Sequence, residues 1–155
     1  MDVYERMRLT PRGISIRIAG EEGMRNILKS GMEEHIAYSE GRIGEIAEGC
    51  RQWLAVAFTL PESTSLLMFR GQVEQLFRLI VLDTLFYEII CREYSGGPVR
   101  YHPVIGGDIG PSYATPSQTT ALLREAFGDG LSPELARWEY AEAKQLLVPA
   151  GYARR

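Results

Sequence analysis

The chain has 155 residues, a formal net charge of −3, 45% hydrophobic residues and 24% charged residues. That length suggests one domain, 1–155, able to bury a core without disulfides or metals, and the balance excludes bulk disorder and a globally basic surface. There is no run of about 18 uncharged apolar residues to span a bilayer and no apolar signal core in MDVYERMRLTPRG, so a cytoplasmic setting without a membrane partner is expected.

In chain order, the first patterned segment is ISIRI, 14–18. Ile14, Ile16 and Ile18 alternate with Ser15 and Arg17, which predicts a half-buried strand. From Glu21 the period lengthens. Met24, Leu28, Met32 and Ile36, then Ile43, Ile46, Cys50, Leu54 and Ala57, trace one face of an amphipathic helix. Glycines around SEGRIG, 39–44, each cost roughly 1 kcal/mol against alanine in a helix interior, so the spacing favours two co-linear segments, 21–38 and 42–59.

Pro61 ends that element, and Ser63 or Thr64 can cap a second long helix, 64–94, stopped by Gly96, Gly97 and Pro98. Its middle is apolar nearly all round, from Leu76 and Phe77 through Phe86 and Ile90, which predicts burial inside the fold or an assembly. Asp83 interrupts it. A buried carboxylate there calls for an arginine such as Arg25 or Arg42, or a polar pocket shared with Tyr87 and Tyr94.

A long connection follows, 95–116. VRYH, 99–102, alternates and is the one internal partner for ISIRI, giving a two-stranded element. Pro116 then opens a short helix with Leu122, Leu123, Ala126 and Phe127 on one face, ended by GDG, 128–130. Ser132-Pro133 starts the last helix, its face drawn through Ala136, Tyr140, Ala143 and Leu147. Pro149 and Gly151 end it, and YARR, 152–155, is expected to fray. The fold class expected is mainly α: a bundle of two long antiparallel helices and two shorter C-terminal ones, with a minor two-stranded β element.

Chemistry-bearing residues are sparse. Cys50 and Cys91 fall in apolar helical contexts without C-x-x-C spacing and read as core thiols in a reducing compartment. His35 stands among Glu33, Glu34 and Glu40, but the residue three before it is Met32, not the glutamate a di-iron helix needs, so no metal and no cofactor is assigned. The connection 98–113 holds Tyr101, His102, Asp108 and Ser112, the types a general base and nucleophile would require. The surrounding GPSYA is not a nucleophile elbow and IGGDIG is not a phosphate loop. An enzyme with its active-site loop there is therefore an alternative, not the leading reading. Arg6, Arg8, Arg12 and Arg17 could touch nucleic acid, but no aromatic interleaving accompanies them.

The leading expectation is geometric. A lone isoleucine strand and a wholly apolar helix need cover, which points to a protein partner or a homo-oligomer: an adaptor or subunit of a larger assembly. The interface candidates are Ile14, Ile16, Ile18, Phe77 and Phe86.

Overall fold

The computed structural model describes residues 9–31, 42–62, 64–104 and 115–155. These residues are mainly helical, with one small three-stranded antiparallel sheet. Helix α1 spans Pro11–Ala19, α2 Glu22–Asn26, α3 Ile43–Thr59, α4 Gln72–Leu82, α5 Thr84–Ser95, α6 Pro116–Phe127 and α7 Pro133–Ala143. A π-helical turn, Ile27–Gly31, follows α2. The strands are β1 Ser65–Phe69, β2 Arg100–Pro103 and β3 Pro149–Arg154.

The segment expected to be an isoleucine strand is helix α1. The deciding residues stand just upstream: Thr10 accepts from the Gly13 N–H at 3.1 Å, and Pro11 occupies the first turn with its φ preset. Ile14 and Ile18 are four apart, so a helix buries both as readily as a strand would, while Ile16 swings out to 74% exposure. Helix α1 packs along α3.

Helix α3 is the enclosed element. It touches α1, α4, α5, α6 and α7, and it buries Ile46, Cys50, Trp53, Leu54 and Phe58 among others. Apolarity all round was expected of a helix over 64–94; the enclosure belongs to 43–59 instead.

That second long helix does not form. Its start is β1, SLLMF, in which all five residues are buried. Gly71, at φ 150°, separates β1 from α4. Asp83 then divides α4 from α5: it leaves helical φ/ψ, and its carboxylate accepts from the Phe86 N–H at 3.2 Å. Asp83 is thus an exposed cap, not a buried ion-pair partner, and Arg42 instead pairs with Glu134, its Nε donating at 2.9 Å. Nor do Asp83, Tyr87 and Tyr94 share a pocket: Tyr87 donates to the Val99 carbonyl at 2.7 Å and Tyr94 to Glu21 at 2.5 Å. Gly96, at φ 77°, closes α5 in the left-handed conformation that favours glycine.

The sheet order is β1-β3-β2, both pairings antiparallel. Arg100, Tyr101 and His102 of VRYH do lie in β2, but the partner is β3, not ISIRI, and β3 takes in most of the YARR tail expected to fray. Tyr152 lies between Leu67 on one side and His102 on the other. The outer edge of β1 is covered by side chains: Trp53 Nε1 donates to the Leu67 carbonyl at 2.8 Å, and the Leu67 N–H donates to Thr119 Oγ1 at 3.1 Å. Both backbone groups of Leu67 on that edge are thereby taken, which denies them to a neighbouring strand.

Helices α6 and α7 begin at Pro116 and Pro133, as expected. Thr115 and Gln118 form a reciprocal capping box, with Gln118 N–H to Thr115 Oγ1 at 3.1 Å and Thr115 N–H to Gln118 Oε1 at 2.8 Å. Thr115→Ala is expected to lower unfolding free energy by about 1 kcal/mol, read as a shift in urea midpoint at constant slope; no shift would mean that the box contributes nothing. The buried face of α7 is Leu135 and Trp138, not the stripe through Tyr140, which is exposed. Trp138 packs edge-on against Phe69 with ring centres 5.0 Å apart.

Candidate functional site

Helix α5 has two sides. Phe86, Ile90 and Tyr94 face the core, and Gly23 admits Phe86 closely: a Cβ there would lie 2.4 Å from the ring. On the outer side Leu85 is 69% exposed and Ile89, one turn on, 42%; Leu82, at the end of α4, is 76% exposed. Residues four apart on a helix share a face, so Leu85 and Ile89 form a short apolar row open to water.

Beside that row runs a groove of about 460 Å³ between α5 and the connection into β2. Val81, Tyr87, Cys91, Pro98 and Val99 line it, and Glu88 and Arg92 stand on its rim as an ion pair of 2.8 Å. Glu88 and Arg92 lie three and seven residues after Leu85, so the same ion pair borders both groove and row. Burial pushes the Tyr87 phenol up, with the Cys91 thiol acting the same way. Burial likewise raises Cys91, against hydrogen bonds to Val99 and Tyr87 that lower it. At neutral pH the titratable groups of the groove wall, Tyr87 and Cys91, are therefore uncharged.

A second cavity, about 330 Å³, lies between α1 and α3. Arg12, Ser15 and Ile16 line it from α1, Glu48 and Arg51 from α3, and Phe127 closes one end.

The residues anticipated from sequence are scattered. Tyr101 and His102 are neighbours on β2 and so point to opposite faces of the sheet. Tyr101 packs edge-on against Phe77 at 4.8 Å, and burial pushes its phenol up to about 12. His102 stacks on Tyr152 at 4.9 Å. Asp108 and Ser112 lie outside the described residues, as do Arg6, Arg8 and His35. Arg12 donates to the Phe127 carbonyl at 2.9 Å, and Arg17 is exposed in the last turn of α1. Of the interface candidates, Ile14, Ile18 and Phe77 are wholly buried within the single chain, Phe86 is 7% exposed and Ile16 stands outside. Both cysteines are free and buried; burial pushes the Cys50 thiol up to about 12, with Arg51 opposing, so it stays protonated at neutral pH.

No family model, no curated protein and no solved structure matches this chain.

What sequence reasoning missed is exposure and convergence. Leu85 and Ile89 stood out as apolar, but not as uncovered. The signal for Arg51 lies in Glu48, Arg51 and Gln52, a polar trio that interrupts apolar helix α3. Among the described residues, no helix is long and apolar enough to cross a membrane.

Proposed function

We propose that the protein acts through protein–protein contact, as an oligomeric subunit or adaptor of a larger assembly, and that the surface it uses is the outer side of α5 with the groove beside it. The observation that supports this is the pair Leu85 and Ile89, left in water next to an apolar groove. Burying two such side chains is worth about 1.5–3 kcal/mol each. The isoleucine segment is a helix whose Ile14 and Ile18 are covered at home, while Leu85 and Ile89 stand together uncovered on α5.

The first occupant proposed is a second copy of the chain. The rim carries one acid and one base, Glu88 and Arg92, already spaced a turn apart. A two-fold axis beside them sets each Glu88 against the other copy's Arg92, so the contact is self-complementary. The two unpaired, buried thiols fit a reducing compartment, where such an assembly would work.

Sedimentation equilibrium across the micromolar range tests the proposal. A concentration-dependent dimer is expected, reduced to monomer in a Leu85→Glu/Ile89→Glu variant with unchanged circular dichroism. A wild-type chain that stays monomeric and is insensitive to that double change overturns self-association through α5.

A further inference from the structure

The cavity between α1 and α3 is built differently from the α5 groove, and its donors outnumber its acceptors. We propose that it binds a small organic anion, a carboxylate or phosphate group carried on an apolar body, with Arg51, Arg12 and Ser15 holding the anionic end. This site is independent of the α5 face.

The polar groups can be followed one by one. Gln52, on the same wall, is fully engaged: its amide nitrogen donates to the Gly130 carbonyl at 2.9 Å and to Glu48 at 3.2 Å, and its oxygen accepts from the Ser132 N–H at 2.8 Å. That clamp ties α3 to the turn before α7 and contributes nothing to a ligand. Arg12 commits one Nη to the Phe127 carbonyl, which fixes its guanidinium at the cavity's end. Arg51 makes no hydrogen bond among the described residues, and its Nε is shut off from solvent without an acceptor. The hydroxyl of Ser15, a buried residue, likewise has no hydrogen bond among the described residues. No described carboxylate stands within ion-pair distance of Arg12 or Arg51.

The cavity therefore presents two guanidiniums against the single carboxylate of Glu48, which Gln52 already engages. A shielded N–H without an acceptor is costly, and a cation half removed from water more so. Burial holds Arg51 below the usual guanidinium range, with Glu48 acting the other way, which is the signature of a charge short of compensation. An oxyanion supplies the missing acceptors, and guanidinium is the group whose fork fits carboxylate and phosphate alike. The remaining walls are apolar: Phe127 at one end, and Ile16 and Ala19 along α1. This gives the exposed Ile16 a role, as the side against which the ligand's body lies. A volume of about 330 Å³ is that of a small-ligand site.

Titration of the isotope-labelled full chain, followed by amide resonances, tests this with three probes of one shape: phenylacetate, phenyl phosphate and neutral phenylacetamide. Saturable shifts at Ser15, Arg51 and Gly130 are expected with one or both anions and not with the amide; which anion binds tighter separates the carboxylate from the phosphate source. Arg51→Gln is expected to weaken the anion roughly tenfold, the loss of one charge-assisted contact. Should that variant fail to fold, Arg12→Gln and Ser15→Ala, on the other wall, are expected to weaken it as well. Absence of shifts with both anions, equal binding of the amide, or anion affinity unchanged in the folded variants overturns the site.

Discussion

Trp53→Ala is expected to lower the unfolding free energy by about 3–5 kcal/mol. Trp53 is wholly buried in the middle of α3, its ring edge-on to Phe77 at 4.8 Å, and its indole N–H is the cover for the Leu67 carbonyl. Truncation removes a large apolar volume, one aromatic pair and a buried donor to that carbonyl at once. With a domain stability of about 5–15 kcal/mol, a loss of this size is a large share of the whole. Urea unfolding followed by circular dichroism measures it. Trp53→Phe separates the terms: it keeps most of the packing and gives up the N–H, so about 1–3 kcal/mol is expected for the uncovered carbonyl. A Trp53→Ala cost below about 1 kcal/mol would mean that α3 is not the centre of the core.

The second large effect is expected at Gly151. A Cβ built there lies 2.3 Å from the Tyr101 hydroxyl oxygen and 2.6 Å from the His102 carbonyl oxygen. The first contact can be relieved by moving a side chain, but the second is backbone of the adjoining strand. Gly151→Ala therefore forces β2 and β3 apart where Gly151 faces Pro103. Overpacking of this kind costs typically about 1–3 kcal/mol, and the upper end is expected because the obstruction is main chain. Gly151→Val should cost more. If Tyr101 alone were the obstacle, Tyr101→Leu would restore the Gly151→Ala protein fully; partial recovery is the expected result. A Gly151→Ala chain as stable as wild type would refute the close approach of the two strands.

Where the sequence carried a local signal, the fold was legible. Pro116 and Ser132-Pro133 mark α6 and α7 because a preset φ and a cap act within one turn, whatever lies elsewhere. The residues of α3 are also where the helical stripe puts them, 43–59 within the expected 42–59. The failures share a physical cause. ISIRI satisfies two periods at once, since Ile14 and Ile18 coincide under alternation and under a helical turn, and Thr10-Pro11 decided between them. SLLMF is apolar throughout, so it has no period to read, and only its length between Pro61 and Gly71 favoured a strand. PAGYAR has no β-branched residue; it is a strand because partners arrive on both sides of it. The candidate sites were less legible still. Apolarity tells that Leu85 and Ile89 favour cover, not that none arrives. The N-terminal arginines could be grouped by adjacency, but Arg12 meets Arg51 only through the packing of α1 on α3.

The position of β3 has a consequence for how the molecule comes into being. The middle strand of the sheet is the latest of the three in the chain, and its register sets Ser65 against Arg154. A ribosome making this polypeptide releases β1 and β2 long before the piece that joins them, so neither can zip until residue 154 has cleared the exit tunnel. Until then the two outer strands have no ladder partner, and closure over so long a separation is inherently slow. Nascent chains stalled before Pro149 should accordingly be more sensitive to protease at β1 and β2 than chains in which Arg154 has emerged.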